Sequence, residues 1–367
     1  MKQKILIGFL NKDIRGAIPA ITSAFIEGLK PKYHFIPFYM DRRIKKKRTE
    51  FNIVNLYYFI KHYINWCLKI IKSRPDIAHF PVTSYWNLEK SLIFLATARV
   101  LGVKKVVGHL HGGAFGEFWQ TLNPVRRKAA LKVLSRLDAF VVLSEHWKKV
   151  AIDQIGLEES KVFEVNNPLV SRFENRFRDF RRDYGRSAAT FISISGLAAR
   201  KGILDALNAL NGVKTPYRYN IVGGEIEDLF LNKVTAMIRD NNMTESVRIL
   251  GEKYGEEKIE LIRNSDIYLL PSHVENFPLA IIEAACAGMP IITTPVGALP
   301  EFFDHMENIN YVEPANIDEI RRGIEFMLEN PEERKRLGKA ARRVFEEKLS
   351  TRMIMKQLDN VYQKISI

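Results

Sequence analysis

Two glutamates, Glu275 and Glu283, stand with seven residues between them in the stretch PSHVENFPLAIIEAACAGMPIITTPVGALPE, residues 271–301. Carboxylates accept hydrogen bonds from neutral hydroxyls, such as the pair on a ribose or those of a sugar, and repel phosphate. Two cations, Arg200 and Lys201, come before Gly202 in SISGLAARKG, residues 193–202. Such a pair beside a helix N-terminus can clamp a diphosphate, the arginine bidentately. His109 and His111 alternate in HLHGG, residues 109–113. Alternate residues of a strand share a face, and glycines after them let a ligand approach the backbone. Arg15-Gly16-Ala17 forms a tight turn at the start of a helix. Each feature has a plainer alternative when taken singly: solvated charges for the glutamates and cations, structural hydrogen bonding for the histidines.

The elements around these residues follow one plan. Ile267–Leu270 reads as a buried strand ending at Pro271-Ser272. Glu275 falls in the loop beyond it. Pro278 suits the first turn of a helix running from Leu279 to Ala287, and Gly288-Met289-Pro290 ends it before a strand at Ile291–Thr294. One carboxylate therefore lies at the mouth of a strand–loop–helix unit and the other on its helix, where open α/β sheets bind ligands. A helix start around Phe277 to Ala280 adds backbone N–H groups and a positive dipole end.

Strand and helix signals alternate along the whole chain. Strands are expected at Ile5–Phe9, His34–Phe38, Ile77–Phe80, Val106–Leu110, Phe140–Leu143 and Val162–Val165 in the first half. In the second half they are expected at Thr190–Ile194, Tyr219–Val222, Val247–Leu250, Ile267–Leu270 and Ile291–Thr294. Two charged helices, about Pro331–Lys348 and Thr351–Ile365, close the chain. The expected architecture is two doubly wound, Rossmann-like α/β domains facing a cleft: residues 1–171 and 188–348, an arginine-rich linker at 172–187, and a final helix at 349–367 packing back toward the first domain.

Composition narrows the class. The 367 residues are 46% hydrophobic and include two cysteines, so a globular chain without a disulfide framework is expected. Cys67 and Cys286 fall in apolar helical patterns and read as packing residues. There is no zinc-like Cys/His spacing, Walker A loop, G-x-S-x-G elbow or full G-x-G-x-x-G. No Asp-x-Asp occurs, which argues against a sugar-nucleotide enzyme built on that metal site. With no signal-peptide pattern, the cytoplasm is the expected location.

Charge is uneven. Residues 1–186 hold 34 Lys+Arg against 16 Asp+Glu, a balance of +18 within a chain total of +14. Such an excess attracts anions: nucleic acid, acidic lipid headgroups or phosphorylated substrates. The cluster Arg42-Arg43-Ile44-Lys45-Lys46-Lys47-Arg48 precedes an aromatic-rich helical stretch. In it Ile53, Leu56, Ile60, Tyr63, Cys67 and Ile70 repeat at helical spacing and read as a core face. Asn52, Asn55, Phe59, His62, Trp66 and Lys69 fall on another face, whose aromatics could touch an interface. Peripheral association with the cytoplasmic face of an anionic membrane is expected, with a solvated basic face as the alternative.

Together these residues resemble the retaining glycosyltransferase family 4 of the GT-B fold. The most specific piece is the Glu-x7-Glu block. HLHGG (109–113), VVLSEHW (141–147), Asn167-Pro168, VGGE (222–225), ILGE (249–252) and VGALPE (296–301) support it. The resemblance implies a nucleotide-diphosphate sugar as donor and a glycan or lipid-linked saccharide as acceptor, as in cell-surface polysaccharide synthesis. No cofactor and no metal are implied for the chemistry. It gives Glu283 the ribose, Glu275 the donor sugar's hydroxyls, Lys201 the diphosphate, His111 a place beside the donor sugar, and Gly16 the loop that reaches the donor phosphate. Asn276, Phe277 and Leu279 join the donor-binding set. Two positions depart from the pattern: Gly196 stands where the family commonly has an arginine, so Arg200 is expected to supply that cation, and Pro278 replaces a frequent glycine. A GT-B sugar-nucleotide epimerase and, more remotely, a basic nucleic-acid-binding protein are the alternative readings.

Overall fold

The computed structural model describes residues 2–11, 16–40, 53–112, 115–184 and 189–366, and only the backbone of 53–55. The described residues form two units: 1–171 with 351–367, and 172–350.

The first unit holds strands β1 (Lys4–Leu10), β2 (His34–Tyr39), β3 (Ile77–Val82), β4 (Lys105–Leu110), β5 (Ala139–Val142) and β6 (Val162–Glu164). They pair in parallel in the order β2-β1-β3-β4-β5-β6. Their composition explains the burial. β3 (IAHFPV) is buried at every position, as parallel strands covered on both faces require. Trp66, Phe38, Phe80 and Phe94 form the aromatic centre, with ring centroids 4.8 to 6.4 Å apart.

The second unit holds β7 (Ala189–Ile194), β8 (Tyr217–Val222), β9 (Val247–Gly251), β10 (Ile267–Leu270), β11 (Ile291–Thr293) and β12 (Asn310–Tyr311), parallel in the order β12-β11-β10-β7-β8-β9. The chain starts at the centre, builds outward through β8 and β9, then returns to the other side of β7 with β10. The loops after β7 and β10 therefore leave in opposite directions and open a crevice between their C-terminal ends. Both candidate donor-binding loops begin there. The first sheet turns over in the same way between β1 and β3.

Three expectations are corrected. Residues 172–187, read as a linker, enter the second unit as far as they are described. Ser171–Phe177 is a helix, Arg172 and Arg176 both pair with Glu256, and Arg182 donates to the carbonyls of Ala287, Ser265 and Ile262. Guanidinium forks saturating loop carbonyls make this segment a staple. The short β12 has no counterpart among the expected strands; two residues are too few to show a period. On the helix Ile53–Ser73, Trp66, Ile70 and His62 are buried, whereas Leu56 and Ile60 are exposed. The helix is apolar on most of its circumference, so spacing could not choose the inward face. The polybasic cluster 42–48 lies outside the described residues.

The last helix, Thr351–Ser366, belongs to the first unit. Met355 fills the space above Gly28, where a Cβ would come within 2.4 Å of its sulfur. Asn166 and Gln357 exchange two hydrogen bonds of 3.0 Å, and Tyr33 donates to Asp359 at 2.7 Å.

Candidate active site

The crevice of the second sheet is built by backbone before side chains. After β7 the chain makes a short helical turn at Ala199–Lys201 and reaches Gly202 in the left-handed region, φ 68°. A Cβ there would lie 1.9 Å from the carbonyl oxygen of Pro271, the first residue after β10. Only glycine lets these two loops touch. His273 N donates to Arg200 O at 2.8 Å, and the His273 ring is hydrogen-bonded to Asp205 on the helix Ile203–Leu210. The loops after β7 and β10 are thus tied into one platform.

On it Lys201 and Glu275 meet. The Lys201 ammonium donates to Glu275 Oε1, and Ser272 Oγ donates to the same oxygen at 3.1 Å. Both side chains are nearly buried, 12% and 9% exposed, so each charge depends on the other. Burial pulls the Lys201 ammonium below its ordinary range, and the Glu275 carboxylate pulls it partly back. Arg200 is exposed beside the pair.

Glu275 and Asn276 are held from the other side by the VGALPE segment. Ala298 N donates to Asn276 O at 2.8 Å, and Gly297, φ 63°, has room for no Cβ, which would lie 2.2 Å from that oxygen. Asn276 Oδ1 is buried without a hydrogen-bond partner. Phe277 stacks on Phe302 with centroids 5.0 Å apart. Pro278 caps the helix Leu279–Cys286 in an extended conformation, and its carbonyl receives Ile281 N and Ile282 N. Leu279 opens that helix, and Glu283 lies one turn further in.

Glu283 is not beside Lys201. It is buried and paired with Lys258 on the helix Gly255–Arg263, whose ammonium also sits 5.6 Å from the Phe173 ring centre. The two glutamates thus have different cations, and Lys258 is a residue that sequence reasoning missed. No local signal marks it within GEEKIELIR; only the fold brings it to Glu283.

The remaining candidates belong to the first unit. Gly16 precedes the helix Ala17–Leu29 and its carbonyl accepts from Ala20 N at 3.2 Å; Arg15 and Gly113 are outside the described residues. His111 N donates to Val82 O at 2.9 Å, which fixes it at the ends of β3 and β4. Its ring lies 4.2 Å from that of His109. Behind it runs a chain that the sequence did not reveal: His109 Nδ1 to His79 Nε2 at 3.2 Å, and His79 Nδ1 to Tyr362 Oη at 2.6 Å. His109 Nε2 is buried without a hydrogen-bond partner. Burial pushes His79 and His111 down to about 3, with the charge of His111 adding to the effect on His79, and holds His109 well below the usual range. All three are neutral imidazoles at ordinary pH.

The crevice thus brings paired cations and carboxylates to the C-terminal ends of the second sheet's strands. Residues 177–344 match the family model "Glycosyl transferases group 1". This group 1 segment coincides with most of the second unit. MMP alpha-(1->4)-mannosyltransferase of Mycolicibacterium hassiacum is 34% identical over 110 residues, 30% of this chain and 27% of that protein. The GDP-mannose-dependent monoacylated alpha-(1-6)-phosphatidylinositol monomannoside mannosyltransferase of Corynebacterium glutamicum is 22% identical over 326 residues, 82% of this chain and 83% of that one. The crystal structure of Anabaena Alr3699/HepE in complex with UDP and glucose superposes with a TM-score of 0.74 at 15% identity, over 99% of this chain and 100% of that one. The matches to the first curated relatives span between about a quarter and about half of their length. The fold is GT-B.

Proposed function

We propose that this protein is a glycosyltransferase that moves a sugar, with retention, from a nucleotide-diphosphate sugar to a glycan or lipid-linked acceptor, as in cell-surface polysaccharide synthesis. The observation that carries the reading is the nearly buried Lys201–Glu275 pair at the switch point of the second sheet. A cation and a carboxylate held together there can separate onto a ligand that has both phosphate and hydroxyls. Lys201 and Arg200 take the diphosphate, whose charge grows as the glycosidic bond breaks, and Glu275 accepts hydrogen bonds from the sugar. Glu283, paired with Lys258, receives the ribose hydroxyls. Asn276, Phe277 and Leu279 line the donor. Gly16 and the neutral His111 are the candidate residues of the first unit, considered by itself. The departing phosphate oxygen takes the acceptor's proton on the face it leaves, which accounts for retention without an enzymic nucleophile. The cations do the work that a divalent metal would otherwise do, so the chemistry needs none. The glycosyltransferase relatives, one acting on a phosphatidylinositol mannoside, support a saccharide or lipid-linked acceptor. The neighbour bound to UDP and glucose supports a nucleotide-sugar donor. The proposed location is the cytoplasm.

A thermal-shift screen with UDP-, GDP- and ADP-sugars tests the donor, since a ligand at about 100 times its Kd adds ~2.7 kcal/mol of apparent stability. One of the three series should raise the midpoint, and transfer with that donor should persist in EDTA. No shift with any nucleotide sugar would overturn the reading. An altered sugar nucleotide formed without acceptor would convert it to epimerisation, and a strict Mg²⁺ requirement would remove the metal-free scheme.

A further inference from the structure

We infer that the outward face of the helix Ile53–Ser73 seats this protein on an anionic lipid bilayer by inserting apolar side chains, a contact independent of the transfer reading. Leu56, Tyr57, Ile60, Ile64, Leu68 and Ile71 are each between 40% and 62% exposed. At ~100° per residue they cover an arc of about 120° on one side of the helix. The opposite side is anchored: Trp66 and Ile70 are buried, and Trp66 Nε1 donates to Phe94 O at 3.0 Å. The exposed arc is therefore fixed in place by the core on its far side. Isolated exposed apolar residues are ordinary, but a continuous stripe of six marks an interaction surface.

Charge identifies the partner. The helix contains Lys61, Lys69 and Lys72 and no acidic residue. Lys61 and Lys72 fall along one edge of the apolar arc, and Lys69 lies about 100° beyond that edge, toward the buried side. Lys69 and Lys72 line a recess of about 280 Å³ with Phe38, Tyr39, Asn65 and Leu68. Lys69 is held there by a 2.6 Å hydrogen bond to Pro37 O and lies 5.9 Å from the Tyr39 ring centre. An apolar arc with cations along one border fits a surface that is hydrocarbon inside and phosphate at its rim. A second copy of this chain fits less well, because residues 1–186 carry 34 Lys+Arg against 16 Asp+Glu and two such surfaces repel. The attachment differs in kind from the polybasic one expected from the sequence. Electrostatic attraction alone disappears in salt, whereas inserted side chains persist.

Flotation of the full chain with vesicles of phosphatidylcholine, with and without phosphatidylglycerol, tests this at low and high salt. The chain should float with the phosphatidylglycerol vesicles and retain part of that binding at high salt. Ile64→Ser with Leu68→Ser should lower the partition coefficient at least about tenfold at both salt concentrations. Lys61→Gln with Lys72→Gln should lower it about fivefold per charge, at low salt only. Thermal midpoints and transfer to a water-soluble acceptor should stay unchanged in both pairs, which separates this inference from the transfer reading. Absence of flotation, or a serine pair that floats like the parent, would overturn it. So would a dimer in light scattering that the serine pair dissociates without any lipid binding.

Discussion

At the crevice of the second sheet a cation and a carboxylate face each other, Lys201 and Glu275, nearly buried. In the first sheet His79 stands within β3, His109 near the end of β4 and His111 just beyond it, all buried or half-buried and neutral. Both sites lie where parallel strands deliver their loops, yet they solve burial in opposite ways. The second unit keeps its charges and pairs them, so a ligand carrying opposite charges can replace each partner. The first unit removes charge, leaving donors and acceptors on uncharged rings. A phosphate-bearing ligand has reason to bind the former. The latter offers directional hydrogen bonds with little pull on an anion.

The sharpest way to break this contrast is to remove one partner of the charged pair. Glu275→Ala should cut transfer by ~10²- to 10³-fold while leaving nucleotide binding largely intact. Lys201→Met should weaken the diphosphate contact instead. Because each single change strands a desolvated charge, stability should fall by up to about 3–5 kcal/mol, and the double variant Lys201→Met/Glu275→Met should recover much of it without recovering transfer. Urea titration beside donor-binding assays checks this. Equal loss of binding and transfer in Glu275→Ala would sink the division of roles.

The histidine cluster should show in the pH dependence of stability. Imidazoles that stay neutral in the fold but protonate near ~6.5 when unfolded favour the unfolded state in acid. Stability from these groups is therefore fully present above ~6.5 and lost as pH falls toward 3, at about 1.4 kcal/mol per pH unit for each histidine that titrates only on unfolding. Between ~6.5 and ~5, above most carboxylate titrations, His79→Phe should flatten that slope. An unchanged slope would mean that His79 protonates in the fold.

The smallest expected effect concerns Arg200. It is exposed and carries one charge at the border of the crevice, so Arg200→Ala should weaken donor binding by roughly tenfold, less than Lys201→Met. Unchanged donor binding would show that nothing replaces the arginine missing at Gly196.

Much of this was legible in the chain because it is local. Glycine at 202, Pro278 before Leu279, and the alternation of apolar strands with helices each act within a few residues. So they predicted eleven of the strands and the loops after β7 and β10. The meeting of those loops through Gly202 is not local, and nothing in the sequence marked that glycine as their point of contact.

The sequence by itself determined two parallel α/β sheets and the approximate loops that present Glu275, Lys201 and His111, because backbone sterics and short hydrophobic periods act along the chain. Tertiary structure decided the partners. Lys258 reaches Glu283 across 25 residues, Lys201 reaches Glu275 across 74, and Tyr362 reaches His79 across 283. It also decided that residues 172–184 staple the second unit and which side of the helix Ile53–Ser73 faces water. A helix apolar nearly all round has no preferred inward face until a core is there to receive Trp66. A buried charge has no identified partner until the fold brings one within hydrogen-bonding distance.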